Sequence, residues 1–90
     1  MNTNSKPIIG IISPCYNEEQ ALVETEKQLR NLIAEMVADN LISNQSFVAF
    51  IDDGSKDGTW KTIETKANQN TQIKGLKFLN HLGNNTNIIL

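Results

Sequence analysis

Two short apolar runs limit what this chain can fold into. "IIGIIS", Ile8–Ser13, and "FVAFID", Phe47–Asp52, are almost free of polar residues. Apolar runs this short and this continuous suit parallel strands that are buried on both faces. Parallel neighbours cannot be joined by a tight turn, so the chain between them must cross over, usually as a helix. The intervening residues agree. Leu22, Leu29, Leu32, Ile33 and Met36 recur at helical spacing. Asn17 can cap that helix, with Gln20 at capping-box distance, and the helix should end near Asp39–Asn40. A second helix can start at Asp57 or Thr59, with Trp60, Ile63 and Ala67 as its buried stripe, and finish at "QNTQ". "IKGLKFL", Ile73–Leu79, reads as a third strand, "NHLGNN" as a loop, and "TNIIL" as the beginning of a further element.

The pattern is β-α-β-α-β. It predicts an α/β, Rossmann-like, three-layer parallel sheet with right-handed crossovers. Ninety residues make a single domain, 1–90, with a small core. Lys plus Arg is 8 and Asp plus Glu is 10, a net charge of −2, which argues against nucleic acid as a partner. No apolar run approaches the roughly 20 residues of a membrane span, and the polar start "MNTNSKP" lacks the apolar region of a signal peptide. Cys15 is the single cysteine, which points to a reducing, cytoplasmic setting. With no second cysteine and only the distant His81, it is not read as a nucleophile.

In a parallel α/β sheet, ligands sit beyond the carboxyl ends of the strands. Those ends carry "SPCYNE", "DDGSKDG" and "NHLGNN", which should share one rim. The second loop admits a rival reading. From Asp53 to Glu64 the residues fit a calcium loop, with oxygen side chains at loop positions 1, 3 and 5, Gly at 6 and Glu at 12. The context argues against it. Such loops lie between two helices, whereas "FVAFID" reads as a strand, and Lys61 falls where a water-bridging oxygen is usual. Lys56 reads as a solvated turn lysine. Gly54 and Gly58 supply backbone angles that other residues resist. Ser55, Asp57 and Thr59 read as turn and cap residues.

"PCYNEE" after the first strand and "IDDGSKDGTW" after the second closely resemble glycosyltransferase family 2, over about residues 7–79. The resemblance is nearest to the polyisoprenyl-phosphate branch, the dolichyl-phosphate mannose synthase-like enzymes. It implies a partial GT-A domain that binds the nucleotide of a UDP- or GDP-sugar. Pro14, Tyr16 and Glu18 match the family's loop around the nucleoside base. The Tyr16 ring can pack on a flat heterocycle, and Glu18 can accept a base N–H. Asp52 and Asp53 match the family's Asp pair, one facing the ligand and one holding the turn, with Asp53 favoured for the ligand. The family's Arg-Asn-x-Gly after the third strand is replaced by Asn80, His81, Leu82 and Gly83, so no ligand contact is assigned to that loop. His81 reads as a surface or turn residue.

The family's metal-binding Asp-x-Asp lies on a later strand, and this sequence has no Asp or Glu after Glu64. The chain therefore reads as the amino-terminal, donor-binding part of a larger transferase, with no catalytic and no metal-binding residue of its own. The whole enzyme would be an inverting, nucleotide-sugar-dependent glycosyltransferase with a Mg or Mn ion, acting in the cytoplasm or at the cytoplasmic face of a membrane, on an acceptor such as a polyprenyl phosphate. The alternative is a noncatalytic α/β module that binds a small molecule or a protein. The strand order 3-2-1 that the resemblance implies leaves one edge of the first strand bare, and bare apolar edges recruit partners, so self-association through that edge is expected.

Overall fold

The computed structural model describes residues 5–80 and 87–89. The elements run β1 (Gly10–Cys15), α1 (Glu19–Ala38), β2 (Phe47–Asp52), α2 (Thr59–Gln69), β3 (Ile73–Asn80) and β4 (Asn87–Ile89). They form one sheet in the order β1-β2-β3-β4. β1 pairs with β2 and β2 with β3 in parallel, while β4 joins β3 antiparallel. The α/β, Rossmann-like reading of the sequence therefore holds, and β1 lies at one edge. The short element begun by "TNIIL" extends the other edge.

β2 occupies the expected residues and α1 ends where expected. β1 differs. It starts and ends two residues later than the apolar run suggests and takes in Pro14 and Cys15. An edge strand tolerates a proline because the lost N–H is not needed on both sides. Ile8 and Ile9 stay outside it and are exposed. Ser46, fully buried, ties this entry segment to β2 by accepting the Ile9 N–H at 3.0 Å.

The core lies between the sheet and the two helices, which pack against each other. Leu22 and Ile33 of α1 and Ile63 of α2 meet Cys15, Val48, Phe50 and Ile73 of the strands, with Ile42 closing one end. Leu29, Met36, Trp60 and Ala67 pack around this centre half-buried. Leu32, which shares the helical spacing, is exposed instead. Glu26, a charged residue that the apolar spacing does not place inside, is buried on α1. The Arg30 guanidinium, one turn further on, holds it at 2.9 Å. On the opposite face of the sheet Ile12 is 56% exposed.

Gly75 marks the closest approach of α2 to the sheet. A Cβ there would stand 2.6 Å from Ile63 Cγ2 and 3.3 Å from the Trp60 ring. Ile63 is fully buried and has no room to yield. Gly75→Ala is expected to lower stability by about 1–3 kcal/mol, read as a lower denaturant midpoint at unchanged slope.

Candidate functional site

The parallel register brings the two motif loops together. Cys15 is paired with Asp52, the last residues of β1 and β2. Tyr16 and Asp53 therefore leave neighbouring strands one residue beyond the same rung, and strands in a sheet lie about 4.8 Å apart. The Asp53 N–H donates to the Cys15 carbonyl at 3.0 Å, carrying the ladder one step past the strand ends. Tyr16 is 53% exposed, and Glu18 and Asp53 are also exposed. Pro14, although exposed, lies inside β1 rather than in the loop.

The Asp pair is split by strand alternation. Asp52 points inward and is fully buried, and its Oδ1 accepts the Ser55 N–H at 3.0 Å. Its Oδ2 has no hydrogen-bond partner among the described residues. Asp53 points outward to solvent, followed by Gly54 at φ +81°, a left-handed position that suits glycine. The geometry thus gives Asp52 the turn and leaves the Asp53 side chain facing solvent. Cys15, beside Asp52, is buried and donates its thiol to the Ser13 carbonyl at 3.6 Å. Burial, then the Glu18 carboxylate, pushes its pKa up, so the thiol stays protonated.

The loops are joined by an exchange of side chains that no local sequence pattern reveals. Asn17 does not cap α1. It sits at φ +50°, and its Oδ1 accepts the Lys56 N–H at 2.8 Å while its own N–H donates to Ser55 Oγ at 2.8 Å. The first turn of α1 is capped from the other loop. Thr59 Oγ1 accepts the Glu18 N–H at 2.9 Å, and Asp57 Oδ2 accepts the Glu19 N–H at a long 3.4 Å. Glu19 reciprocates, its Oε1 accepting the Gly58 N–H at 2.9 Å at the start of α2. Asp57 also caps its own helix, taking the Thr59 N–H at 2.9 Å and the Thr59 hydroxyl. Each helix start leaves unpaired N–H groups; those of α1 are served by Thr59 and Asp57, while the start of α2 takes one acceptor from Glu19 and one from its own Asp57. Sequence patterns for caps look three residues along one helix, so partners 38 to 41 residues away escape them.

This arrangement disposes of the calcium loop. The preceding element is a strand. Ser55 and Asp57 spend their oxygens on backbone N–H groups, and Glu64 is exposed on α2. Among the described residues no three His, Cys, Asp or Glu side chains gather to hold a metal ion. His81, Leu82 and Gly83, in the third loop, lie outside the described residues. No helix among the described residues is long and apolar enough to cross a membrane. Trp60 packs against the core with the Lys77 ammonium 5.8 Å from its ring, so it is no free stacking surface, and Lys56 is exposed.

Asp57 has a lowered pKa, chiefly because the Thr59 hydroxyl, and also the N–H groups of Thr59 and Glu19, bond its ionised form. A carboxyl depressed by folding stabilises the fold while ionised. That contribution is present above the ordinary value of 3.8 and is lost as pH falls through the lower folded value. The amide resonances of Thr59 and Glu19 should therefore titrate together with a midpoint below 3.8, and Asp57→Asn should abolish that step in an NMR pH series.

Comparison with known proteins accords with the two motif loops. Residues 10–88 match the family described as glycosyl transferase family 2. The chain is 38% identical over 79 residues to a protein of Bacillus subtilis (strain 168) named uncharacterized glycosyltransferase YkoT. The alignment covers 88% of this chain and 23% of that protein, so the chain spans about a quarter of the relative's length. With its parallel strands, its paired loops and a family match over most of its length, the chain belongs to glycosyl transferase family 2.

Proposed function

We propose that this chain binds the nucleotide of a sugar-nucleotide donor, as part of a glycosyltransferase. The observation that carries the reading is the exposed Tyr16 beside the exposed Asp53, on adjacent strand ends joined by the hydrogen bond from Asp53 to Cys15. An aromatic face next to a carboxylate suits a nucleoside, since the ring stacks on the base and the carboxylate accepts N–H or hydroxyl hydrogens. Glu18 adds a second acceptor on the same loop, and Pro14 stiffens the strand end that leads into it. Asp52 acts from below, by fixing the turn that presents Asp53. The donor is a UDP- or GDP-sugar, and the acceptor class suggested by the resemblance is a polyprenyl phosphate, with inversion at the sugar carbon. The proposal gives this chain no metal ligand and no catalytic base. In a whole glycosyltransferase a divalent cation would serve the transfer step, in a cytoplasmic setting.

The test is an amide NMR titration with UDP and with GDP. Shifts clustered at Tyr16, Glu18 and Asp53 support the reading, and the nucleotide that produces them names the base. Tyr16→Ala is expected to weaken binding by about 1–3 kcal/mol, the usual worth of an aromatic stacked on a base. A titration without shifts at these three residues on the folded protein would sink the reading.

We also propose that a second copy pairs with the β1 edge. β1 has a neighbour on one side only among the described residues, and Ile12 on it is exposed. Sedimentation should show a dimer at high concentration that Ile12→Lys disperses. A monomeric mass throughout would refute the pairing.

A further inference from the structure

We infer that Asn17 is a positioning residue for the proposed nucleotide rim, acting by locking the β1 and β2 loops into one frame. The inference rests on the donor reading, because it concerns how Tyr16 and Asp53 are held.

Asn17 lies between Tyr16 and Glu18, the candidate base-binding residues, and is itself exposed. Its backbone N–H and its side-chain oxygen both face the other loop. The N–H goes to Ser55 Oγ and the Oδ1 takes the Lys56 N–H, each at 2.8 Å. Ser55 is in turn the residue whose N–H binds Asp52 Oδ1. A chain of hydrogen bonds thus runs from the Tyr16 loop through Ser55 to Asp52, which precedes Asp53. The left-handed backbone at Asn17, φ +50°, is what points its side chain sideways into that loop. Asn tolerates this conformation better than most residues. The helix starts are then crossed by the Thr59–Glu18 and Glu19–Gly58 bonds, which stop the loops from sliding along each other. Loops held this way lose less freedom on binding, which raises affinity without adding a contact.

Three substitutions separate the contributions. Asn17→Gly keeps the left-handed backbone but removes the acceptor. Asn17→Asp keeps both. Gly75→Ala weakens the fold at the packed face of β3, away from the rim. With UDP or GDP as probe, whichever binds the unaltered protein, Asn17→Gly is expected to weaken binding at least tenfold. Protection of the Ser55 and Lys56 amides from hydrogen exchange should fall together with that of residue 17. Asn17→Asp should bind within about twofold of the unaltered protein, and Gly75→Ala should bind unchanged despite its lower stability. If Asn17→Gly binds as tightly as the unaltered protein, or if Gly75→Ala weakens binding equally, the positioning role is overturned while the donor reading stands. If neither nucleotide shifts Tyr16 or Asp53 in the unaltered protein, the donor reading falls and takes this role with it.

Discussion

Parallel strands end side by side, and each hands over to a helix whose first N–H groups lack partners. In this chain β1 and β2 end on the same rung, so two such helix starts are crowded against each other. The exchange of acceptors among Asn17, Glu19, Ser55, Asp57 and Thr59 meets both needs at once. The same bonds fix the distance and angle between the loops. A constraint that begins as hydrogen-bond accounting at the strand ends thereby sets the geometry of the rim on which Tyr16, Glu18 and Asp53 stand.

The sheet beneath supplies the rigidity. Val48 and Phe50 of β2 are buried under the helices, and Gly75 lets α2 settle onto β3 with Ile63 and Trp60 in contact. Alternation along β2 then places Phe50 and Asp52 on the same inward face and sends Asp53 outward. A one-residue slip of the strand would reverse the Asp pair, exposing the turn-holder and burying the solvent-facing carboxylate. The hydrophobic pattern that secures the register therefore also secures which carboxylate meets solvent.

Much of this is legible in the sequence, and the exceptions share a cause. The continuous run Phe47–Asp52 locates β2 because nearly every residue in it answers to burial, and the helical spacing of Leu22, Leu29, Ile33 and Met36 locates α1. The family of the chain is legible in "PCYNEE" and "IDDGSKDGTW". The limits of β1 are not, because at an edge the apolar run and the hydrogen-bonded run need not coincide. Ile8 is apolar yet unpaired, while Pro14 is paired through one side alone. Asn17 reads as the cap of α1 in the sequence and is not, because a cap supplied by another element leaves no local spacing. Glu26 gives no sign of its burial, because a Glu and an Arg one turn apart look the same on a solvated helix face. Local patterns report local forces, and each miss involves a partner or an edge that only the folded sheet defines.

The resemblance of residues 53–64 to a calcium loop has the same physical origin as their actual use. Carboxylate and hydroxyl oxygens spaced at alternate positions, with glycines between them, make a tight turn whose oxygens converge inward. Convergent oxygens can surround a cation, or they can receive N–H groups. What decides is whether donors arrive first. Here the neighbouring strand delivers the N–H groups of Asn17, Glu18 and Glu19 into the turn, and the turn's own Thr59 N–H competes for Asp57. Each N–H so placed occupies a lone pair that a cation would need and brings a partial positive charge that would repel it. Asp53, at the head of the turn, receives no such donor among the described residues and points the other way. Pairing the loop with a second strand thus turns a cation-binding composition into a scaffold that presents one outward carboxylate beside an aromatic ring.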